Sequence, residues 1–210
     1  MRTDMAATIP RGGARYPPTV RELYRDRWLV VIDKPSGVPS QAGQDGQPGL
    51  YEQLAEREGY VGLHHRLDRP ASGLMLFTLD RGANKGVAEL FAQGRIRRRY
   101  VVWVLGSMSG SGQWEAPVDG RSARSEWSAE HSGRISRLRV SLVTGRTHQI
   151  RRHAAGDGHP VLGDRRHGGA AGTLWPRLAL HARDLELVHP ITGEALRLYA
   201  EPPEDLRGLP

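Results

Sequence analysis

The sequence predicts an α+β fold with a mixed, mostly antiparallel β-sheet that is flanked by helices and loops. Short apolar runs typical of strands outnumber the segments with helical periodicity. Strands and helices do not alternate regularly, as they do in a parallel sheet. The 26 glycines and 14 prolines among 210 residues indicate long connections rather than a helical bundle.

Strands are predicted where apolar runs are rich in β-branched residues. The clearest is WLVVID at residues 28–33, which ends at the sequence KPSG. The same criterion predicts further strands at residues 73–79, 100–105, 113–118, 125–128, 135–143, 178–188 and 195–200.

Helices are predicted where apolar residues recur at helical spacing. Leu50 and Leu54 lie four residues apart, and Gly59 can end their helix in a left-handed conformation. Thr147 is the expected cap of a later helix. The predicted helices cover residues 50–58, 84–93 and 147–155.

The chain length suits one domain, which we place at residues 19–205 after a flexible leader at residues 1–18. The leader lacks the apolar core of a secretory signal, and no run of 18 apolar residues predicts a membrane span. The absence of cysteine excludes disulfides and cysteine-ligated zinc. It also permits a reducing cytoplasm, where we expect the protein as a monomer.

The charge of the chain points to a polyanionic partner. Lysine and arginine number 30 against 23 acidic residues, so the net charge is +7. Lysine occurs only at Lys34 and Lys85, and the other 28 basic residues are arginine. Guanidinium groups suit bidentate contacts to phosphate. A coding bias explains much of the arginine-to-lysine ratio, but it does not explain the excess of positive charge.

A charge-dense loop, HHRLDRPASG at residues 64–73, leads into an apolar strand. Its carboxylate, Asp68, is flanked by Arg66 and Arg69, which favour the ionised form. A carboxylate at the mouth of a strand is also held on a rigid element. A loop aspartate that pairs with arginine for structural reasons alone is the alternative, because structural ion pairs perturb carboxylates too.

A second basic segment, RIRRRY at residues 95–100, begins another predicted strand. Its arginines could follow a phosphate backbone while Tyr100 stacks on a base. A solvated run of charge followed by an edge-strand tyrosine is the alternative interpretation.

The third segment, TGRTHQIRRH at residues 144–153, joins a predicted strand to a helix. Gly145 allows a sharp turn, and Arg146 at the strand end could reach a carboxylate on a neighbouring strand. His148 and His153 lie five residues apart and do not share a helical face, so metal ligation is disfavoured against a structural helix. The following GHPVLGD at residues 158–164 is interpreted as scaffold.

Together, in this order and spacing, these segments resemble the RluA family of pseudouridine synthases. Residues 65–73 match its H-R-L-D-x-x-T-S-G motif except that Ala71 replaces threonine. Residues 98–100 match K-x-Y, with Arg98 in place of lysine. Residues 145–153, 158–164 and 26–37 match the family's other motifs, and the resemblance spans residues 22–203.

The resemblance implies a pseudouridine synthase catalytic fold and the family's site residues. Asp68 falls on the essential aspartate, Tyr100 on the tyrosine that stacks against the target base, and Arg146 on the arginine that pairs with the aspartate. Arg66 falls on an arginine linked to base flipping. The expected substrate-binding residues are His65, Arg66, Arg98, Arg99, His148, Gln149 and Arg151.

The implied reaction isomerises a uridine in structured ribosomal or transfer RNA, and it needs neither cofactor nor metal. The N–C glycosidic bond breaks, the uracil rotates, and a C–C bond forms to the same ribose. The carboxylate either attacks C1′ or removes a proton from C2′, and the sequence leaves both routes open. We expect no S4-like RNA-binding domain, so substrate choice rests on the catalytic domain.

Two other functions are compatible with parts of the sequence. A non-catalytic RNA-binding module explains the charge equally well, but it does not require Asp68, Tyr100 and Arg146 at matching positions. A metal-dependent hydrolase would need carboxylate or histidine ligands at helix-compatible spacing, and a chelator would abolish its activity. The candidate ligands would be His64, His65, His148, His153 and His159.

Overall fold

The computed structural model describes residues 20–43 and 46–210, so the expected leader at residues 1–18 lies outside the described part. The described residues confirm the α+β class, with one large sheet and four α-helices. In chain order the elements are β1 (Arg21–Arg25), β2 (Leu29–Lys34), α1 (Leu50–Glu58), β3 (Gly62–Leu63), β4 (Ser72–Thr78), α2 (Arg81–Ala92), β5 (Arg97–Leu105), β6 (Ser111–Trp114), β7 (Ser125–His131), β8 (Ile135–Leu142), α3 (Gln149–Gly156), a 3-10 turn (Gly169–Thr173), β9 (Leu180–Val188), β10 (Ala195–Tyr199) and α4 (Glu204–Arg207).

The strands form one mixed, mostly antiparallel sheet in the order β1-β2-β4-β9-β5-β8-β7-β6, with β10 paired to β9 and β3 to β4. The contact between β4 and β9 is parallel, and the other strand pairs are antiparallel. Ala182 of β9 pairs with Gly73 of β4 on one side and with Tyr100 of β5 on the other. This register brings the loop before β4 and the start of β5 to the same level of the sheet.

The central strands are buried on both faces, which explains their continuous apolar sequences. Val30 and Ile32 of β2 pack on the side of α1 and α3, whereas Leu29 and Val31 pack on the side of α2. Each such side chain contributes about 1.5–3 kcal/mol when fully buried. The apolar face of α4 closes a third cluster against β5. Packing continues past the expected boundary at residue 205, since Leu206 is buried there.

The predicted helix at residues 50–58 is confirmed, and Gly59 ends it with φ 73°. The expected cap at Thr147 is wrong, because α3 begins at Gln149 and its N-cap is His148 in a left-handed conformation, φ 54°. The strand expected at residues 113–118 is instead Ser111–Trp114. Strands β1 and β3 and helix α4 were not predicted from the sequence. The strand β1 is charged and lies at the sheet edge, so it carries no apolar signal.

Gly73 is required where β4 meets β9. Its φ is 112°, and a Cβ there would lie 2.2 Å from the carbonyl oxygen of Ala182. Both the backbone conformation and the close approach exclude larger residues. Gly59 also has a positive φ, but no atom lies within 4 Å of its Cβ position.

We expect Gly73→Ala to lower the free energy of unfolding by about 3 kcal/mol or more, because steric overlap adds to the conformational cost. Gly59→Ala carries the conformational cost alone, about 1–2 kcal/mol. Urea unfolding followed by circular dichroism measures both variants. Equal losses for the two alanines would contradict the close packing of β4 against β9.

Candidate active site

Asp68 lies in the loop between β3 and β4, and the backbone of that loop is anchored on both sides of it. The Ser40 hydroxyl accepts from the N–H of Leu67 at 3.0 Å and donates to the Leu67 carbonyl at 2.7 Å. The Gly37 N–H donates to the carbonyl of Arg69 at 2.8 Å. These contacts hold the Asp68 carboxylate, 21% exposed, at the edge of a cleft.

The end of β2 reinforces this loop through a buried lysine. The Lys34 ammonium donates to the carbonyls of Pro35, Val38 and Arg69 at 3.0, 2.8 and 3.2 Å. Burial lowers the pKa of Lys34 to about 7, although the nearby charge of Asp68 opposes this shift. Lys34 therefore ties the loop after β2 to the residue that follows Asp68.

The cation that pairs with Asp68 is Arg151, on the first turns of α3. Its Nη1 donates to Asp68 Oδ2 at 2.8 Å, while Nε and Nη2 donate to the two carboxylate oxygens of Asp164 at 2.8 and 2.6 Å. Burial alone would lower the pKa of Arg151, but its bonds to Asp164 and Asp68 raise it above the usual value. Burial likewise raises the pKa of Asp164, and bonds from Arg151 and the N–H groups of His167 and Arg166 outweigh it, so the net shift is downward.

The second oxygen of Asp68 faces a pair of histidines. His148 Nε2 lies 3.7 Å from Asp68 Oδ1, and His148 Nδ1 lies 2.9 Å from His167 Nε2. Burial lowers the pKa of His148 below its usual value, and Arg151 and His167 add to this effect while Asp68 opposes it. The left-handed backbone of His148 places its ring beside the carboxylate, and such strain is typical of functional positions.

Tyr100 forms the buried floor of the cleft next to Asp68. Burial raises the pKa of its hydroxyl, an effect that Arg98 opposes and the charge of Asp68 supports. The Arg98 guanidinium lies 5.4 Å from the ring centroid of Phe91. Behind it, His65 accepts the N–H of Leu76 at 2.9 Å through Nε2.

The cleft has a volume of about 880 Å³ and an open, polar mouth. Arg66 and Arg146 are exposed at this mouth. The residues that carry its chemistry are Arg66, Asp68, Arg98, Tyr100, Arg146 and His148. A carboxylate, an aromatic ring and several guanidinium groups thus face one space, which suits a nucleotide and its phosphates.

The predicted pair of Arg146 and Asp68 is wrong, because Arg151 occupies the position beside the carboxylate. Gln149 Oε1 accepts the N–H of Arg146 at 3.0 Å and closes the turn before α3. The Arg146 side chain then extends to the carbonyl of Ser122, to which its Nε donates at 3.0 Å.

Three other predicted substrate-binding residues have structural partners. Gln149 is buried, and its amide is fully used: it accepts from Thr144 and Arg146 and donates to Arg124 and Ser125. Arg99 points away from Tyr100 and pairs with Glu186 at 2.6 Å. His65 lines the cleft but is buried, and burial with the nearby charges of Arg98 and His64 lowers its pKa to about 3. Its Nδ1 has no hydrogen-bond partner in the described part of the chain.

Two residues of the site were missed, Asp164 and His167. Asp164 belongs to the segment interpreted as scaffold, but it is 1% exposed and holds Arg151. The signal that the sequence offered was the aspartate that ends the turn-rich segment GHPVLGD. Among the described residues no group of three or more potential metal ligands occurs. His153, a weak metal candidate, is bonded instead to Ser125 and the carbonyl of Ala116.

Comparison with known proteins identifies the family. The model of the RNA pseudouridylate synthase family matches residues 28–156. The chain is 31% identical to the dual-specificity RNA pseudouridine synthase RluA of Haemophilus ducreyi, over 88% of this chain and 94% of that protein. It is 33% identical to tRNA pseudouridine synthase C of Salmonella typhimurium, over 85% and 84%.

The chain belongs to the RNA pseudouridylate synthase family, and within it to the RluA group. It is therefore an RNA pseudouridine synthase, an enzyme that isomerises uridine in RNA to pseudouridine. The solved human RNA pseudouridylate synthase domain containing 1 has the same fold, with a TM-score of 0.74 and 22% identity over 92% of this chain and 87% of that one.

The buried Arg151–Asp164 pair can be tested against an exposed pair of the same residue types and length. We expect Asp164→Asn to lower the free energy of unfolding by about 3 kcal/mol, because it leaves a buried guanidinium undercompensated. Since Arg151 then holds Asp68 less firmly, kcat should fall about tenfold or more, with a smaller change in KM. Urea unfolding and steady-state kinetics measure these effects.

The control is Asp119→Asn, which removes the pair of Arg152 with Asp119 at 2.6 Å, where the aspartate is 63% exposed. It should change stability by at most about 1 kcal/mol. If Asp164→Asn behaves like this control, Arg151 does not depend on Asp164.

Proposed function

We propose that Asp68 is the catalytic carboxylate, that Arg151 holds it in place, and that the ribose of an extruded uridine binds in front of it. One observation carries this proposal. Arg151 binds Oδ2 of Asp68, and Oδ1 lies 3.7 Å from His148 Nε2, while Asp68 lines the cleft together with Tyr100 and exposed arginines. The paired oxygen fixes the direction of the carboxylate, and the open one remains available to substrate.

The reaction is balanced without any added reagent. The bond from N1 of uracil to C1′ breaks, the uracil rotates in the cleft, and C5 bonds to C1′. The proton leaves C5 and N1 gains one, so the product is an isomer of the substrate. Both routes, attack of the carboxylate at C1′ and proton removal from C2′, require a negatively charged oxygen at the ribose. Arg151 pairs with the Asp68 carboxylate at 2.8 Å and so offsets its desolvation.

Tyr100 is proposed to stack on the uracil while the base rotates. Its position on the rigid strand β5 holds the ring beside Asp68. Because burial raises the pKa of its hydroxyl, Tyr100 stays protonated at neutral pH and contributes as a stacking surface and hydrogen-bond donor.

Extrusion of the target base costs a few kcal/mol, which phosphate contacts must offset. Arg66 and Arg146 at the mouth and Arg98 inside the cleft are proposed to supply these contacts. His148, next to Asp68, is proposed to contact the ribose or its phosphate.

We propose that the substrate is structured ribosomal or transfer RNA. Relatives are named for both: ribosomal large subunit pseudouridine synthase D of Xanthomonas campestris is 33% identical over 89% of this chain and 67% of that protein, and the tRNA enzyme of Salmonella typhimurium is equally similar. Pseudouridine mapping of total RNA from cells with and without the gene tests which RNA is the substrate.

Within the described ranges, none of the helices has the length and apolar character needed to span a bilayer. We propose that the protein is a cytoplasmic monomer.

Asp68→Asn should abolish pseudouridine formation while the affinity for RNA changes less than about threefold, because the variant loses the charge but not the phosphate contacts. Carbodiimide mapping and a filter-binding assay measure the two properties. Asp184→Asn is the matched control, since Asp184 also pairs with an arginine, at 3.0 Å, and is 22% exposed. Normal turnover by Asp68→Asn would reject the proposal.

Tyr100→Phe keeps the stacking surface, whereas Tyr100→Leu removes it. We expect kcat to fall modestly in the first variant and about a hundredfold in the second, given that stacking on an aromatic contributes about 1–3 kcal/mol per base. Single-turnover kinetics at saturating RNA measures both. If the phenylalanine variant is as inactive as the leucine variant, the hydroxyl rather than the ring performs the essential step.

A further inference from the structure

A second cleft of about 500 Å³ is also lined by Asp68. The two clefts share three residues, Asp68, Arg69 and His148, so they meet at the proposed catalytic carboxylate. The charged residues that line the second cleft are mostly basic: Arg69, Arg151, Arg165, Arg166 and Arg177, with Asp68 and Asp164.

The wall of this cleft is a tightly held turn. Asp164 Oδ1 accepts the N–H groups of Arg166 and His167, both at 3.1 Å. The carbonyl of Asp164 accepts the N–H of Gly168 at 2.7 Å, and a Cβ at Gly168 would lie 2.5 Å from that oxygen. The same aspartate binds Arg151, so the turn is anchored to the group that holds Asp68.

Two arginines project from this turn without an internal partner. Arg165 and Arg166 are exposed, and within the described part of the chain their guanidinium groups make no hydrogen bond or ion pair. In contrast, Arg177, which lines the same cleft, is bound by both oxygens of Asp205, and Arg151 is bound by two aspartates. Among the residues that the structure describes, Arg165 and Arg166 are therefore two cations without an internal partner, and they line the same cleft as Asp68.

We propose that Arg165 and Arg166 bind the RNA backbone phosphates on one side of the target uridine, while the first cleft takes the uridine and the phosphates on the other side. This rests on the proposed function of Asp68. A nucleotide within a chain has a phosphate on each side of its ribose, so a ribose at Asp68 sends the strand into both clefts. The enzyme then binds one continuous RNA strand in both clefts, with the ribose of the target uridine at Asp68.

The consequence concerns the substrate class. Because the proposal needs a phosphate contact on each side of the target, RNA that ends at the target uridine should be a poor substrate. The contacts carry no base information and raise affinity for all sequences alike. They should appear in the salt dependence of binding, which is about −0.7 per phosphate neutralised on single strands.

The test compares the double variant Arg165→Gln/Arg166→Gln with the control Arg134→Gln/Arg197→Gln. The control removes the same charge from two exposed arginines that line neither cleft. The probe is a short uridine-containing RNA stem–loop, and its affinity is measured by fluorescence anisotropy over a series of salt concentrations. We expect the salt slope to fall by about 1.4 in the double variant, because two phosphate contacts are lost. Affinity should fall about tenfold or more, against less than about threefold in the control.

A second arm locates the phosphates. Single neutral methylphosphonate linkages are placed at successive positions on each side of the target uridine. At the linkages bound by Arg165 and Arg166, the substitution should weaken binding by the wild-type enzyme but not by the double variant. Equal losses in the two proteins at every position, or equal salt slopes in the double variant and the control, would overturn the proposal.

These readouts are independent of turnover. If the wild-type enzyme forms no pseudouridine in the probe or in cellular RNA, the proposed function fails while the binding result still decides the phosphate site. If the wild-type enzyme is active and the double variant keeps normal kcat/KM on the stem–loop, the second cleft does not hold the strand.

Discussion

The site depends on one guanidinium that is shared by two carboxylates. Arg151 binds Asp68 and Asp164 at 2.6–2.8 Å and is itself only 6% exposed. The arrangement joins the loop before β4, the start of α3 and the turn at residues 163–168. A buried cation needs such compensation, because an unpaired charge in the interior costs several kcal/mol.

The sheet supplies the frame for this cluster. Ala182 of β9 pairs with Gly73 of β4 on one side and Tyr100 of β5 on the other. The loop that carries Asp68 and the ring of Tyr100 are therefore held at the same level of the sheet. The close approach at Gly73 leaves no room for a side chain between β4 and β9. Positions on rigid strands are more precise than positions on free loops. Lys34 at the end of β2 also restrains the Asp68 loop, because its ammonium donates to the carbonyl of Arg69 as well as to those of Pro35 and Val38.

The basic residues of the chain are not equivalent, although the sequence shows them as similar runs. Arg99 and Arg177 form ion pairs with Glu186 and Asp205. Arg66 and Arg146 are exposed at the mouth of the first cleft, and Arg165 is exposed in the second. Both clefts that Asp68 lines therefore contain exposed guanidinium groups.

Local sequence patterns predicted the fold class, the helix at residues 50–58 and most of the strands. They also identified Asp68 and Tyr100 as candidate site residues. These features follow from apolar periodicity, glycine at a helix end and contiguous motifs, all of which act over a few residues. The charged edge strand β1 has no such local signal, because its stability comes from pairing with β2 rather than from its own apolar residues.

Only the tertiary structure decided which arginine serves Asp68. The segment at residues 144–153 offers Arg146, Arg151 and Arg152, and the choice depends on where α3 begins and on the turn that Gln149 closes. Residue 164 is also distant in sequence from residue 68, so no local pattern reveals that one guanidinium spans both. Side-chain direction at a buried charge is set by packing and by the partners that compensate it, and these come from remote parts of the chain.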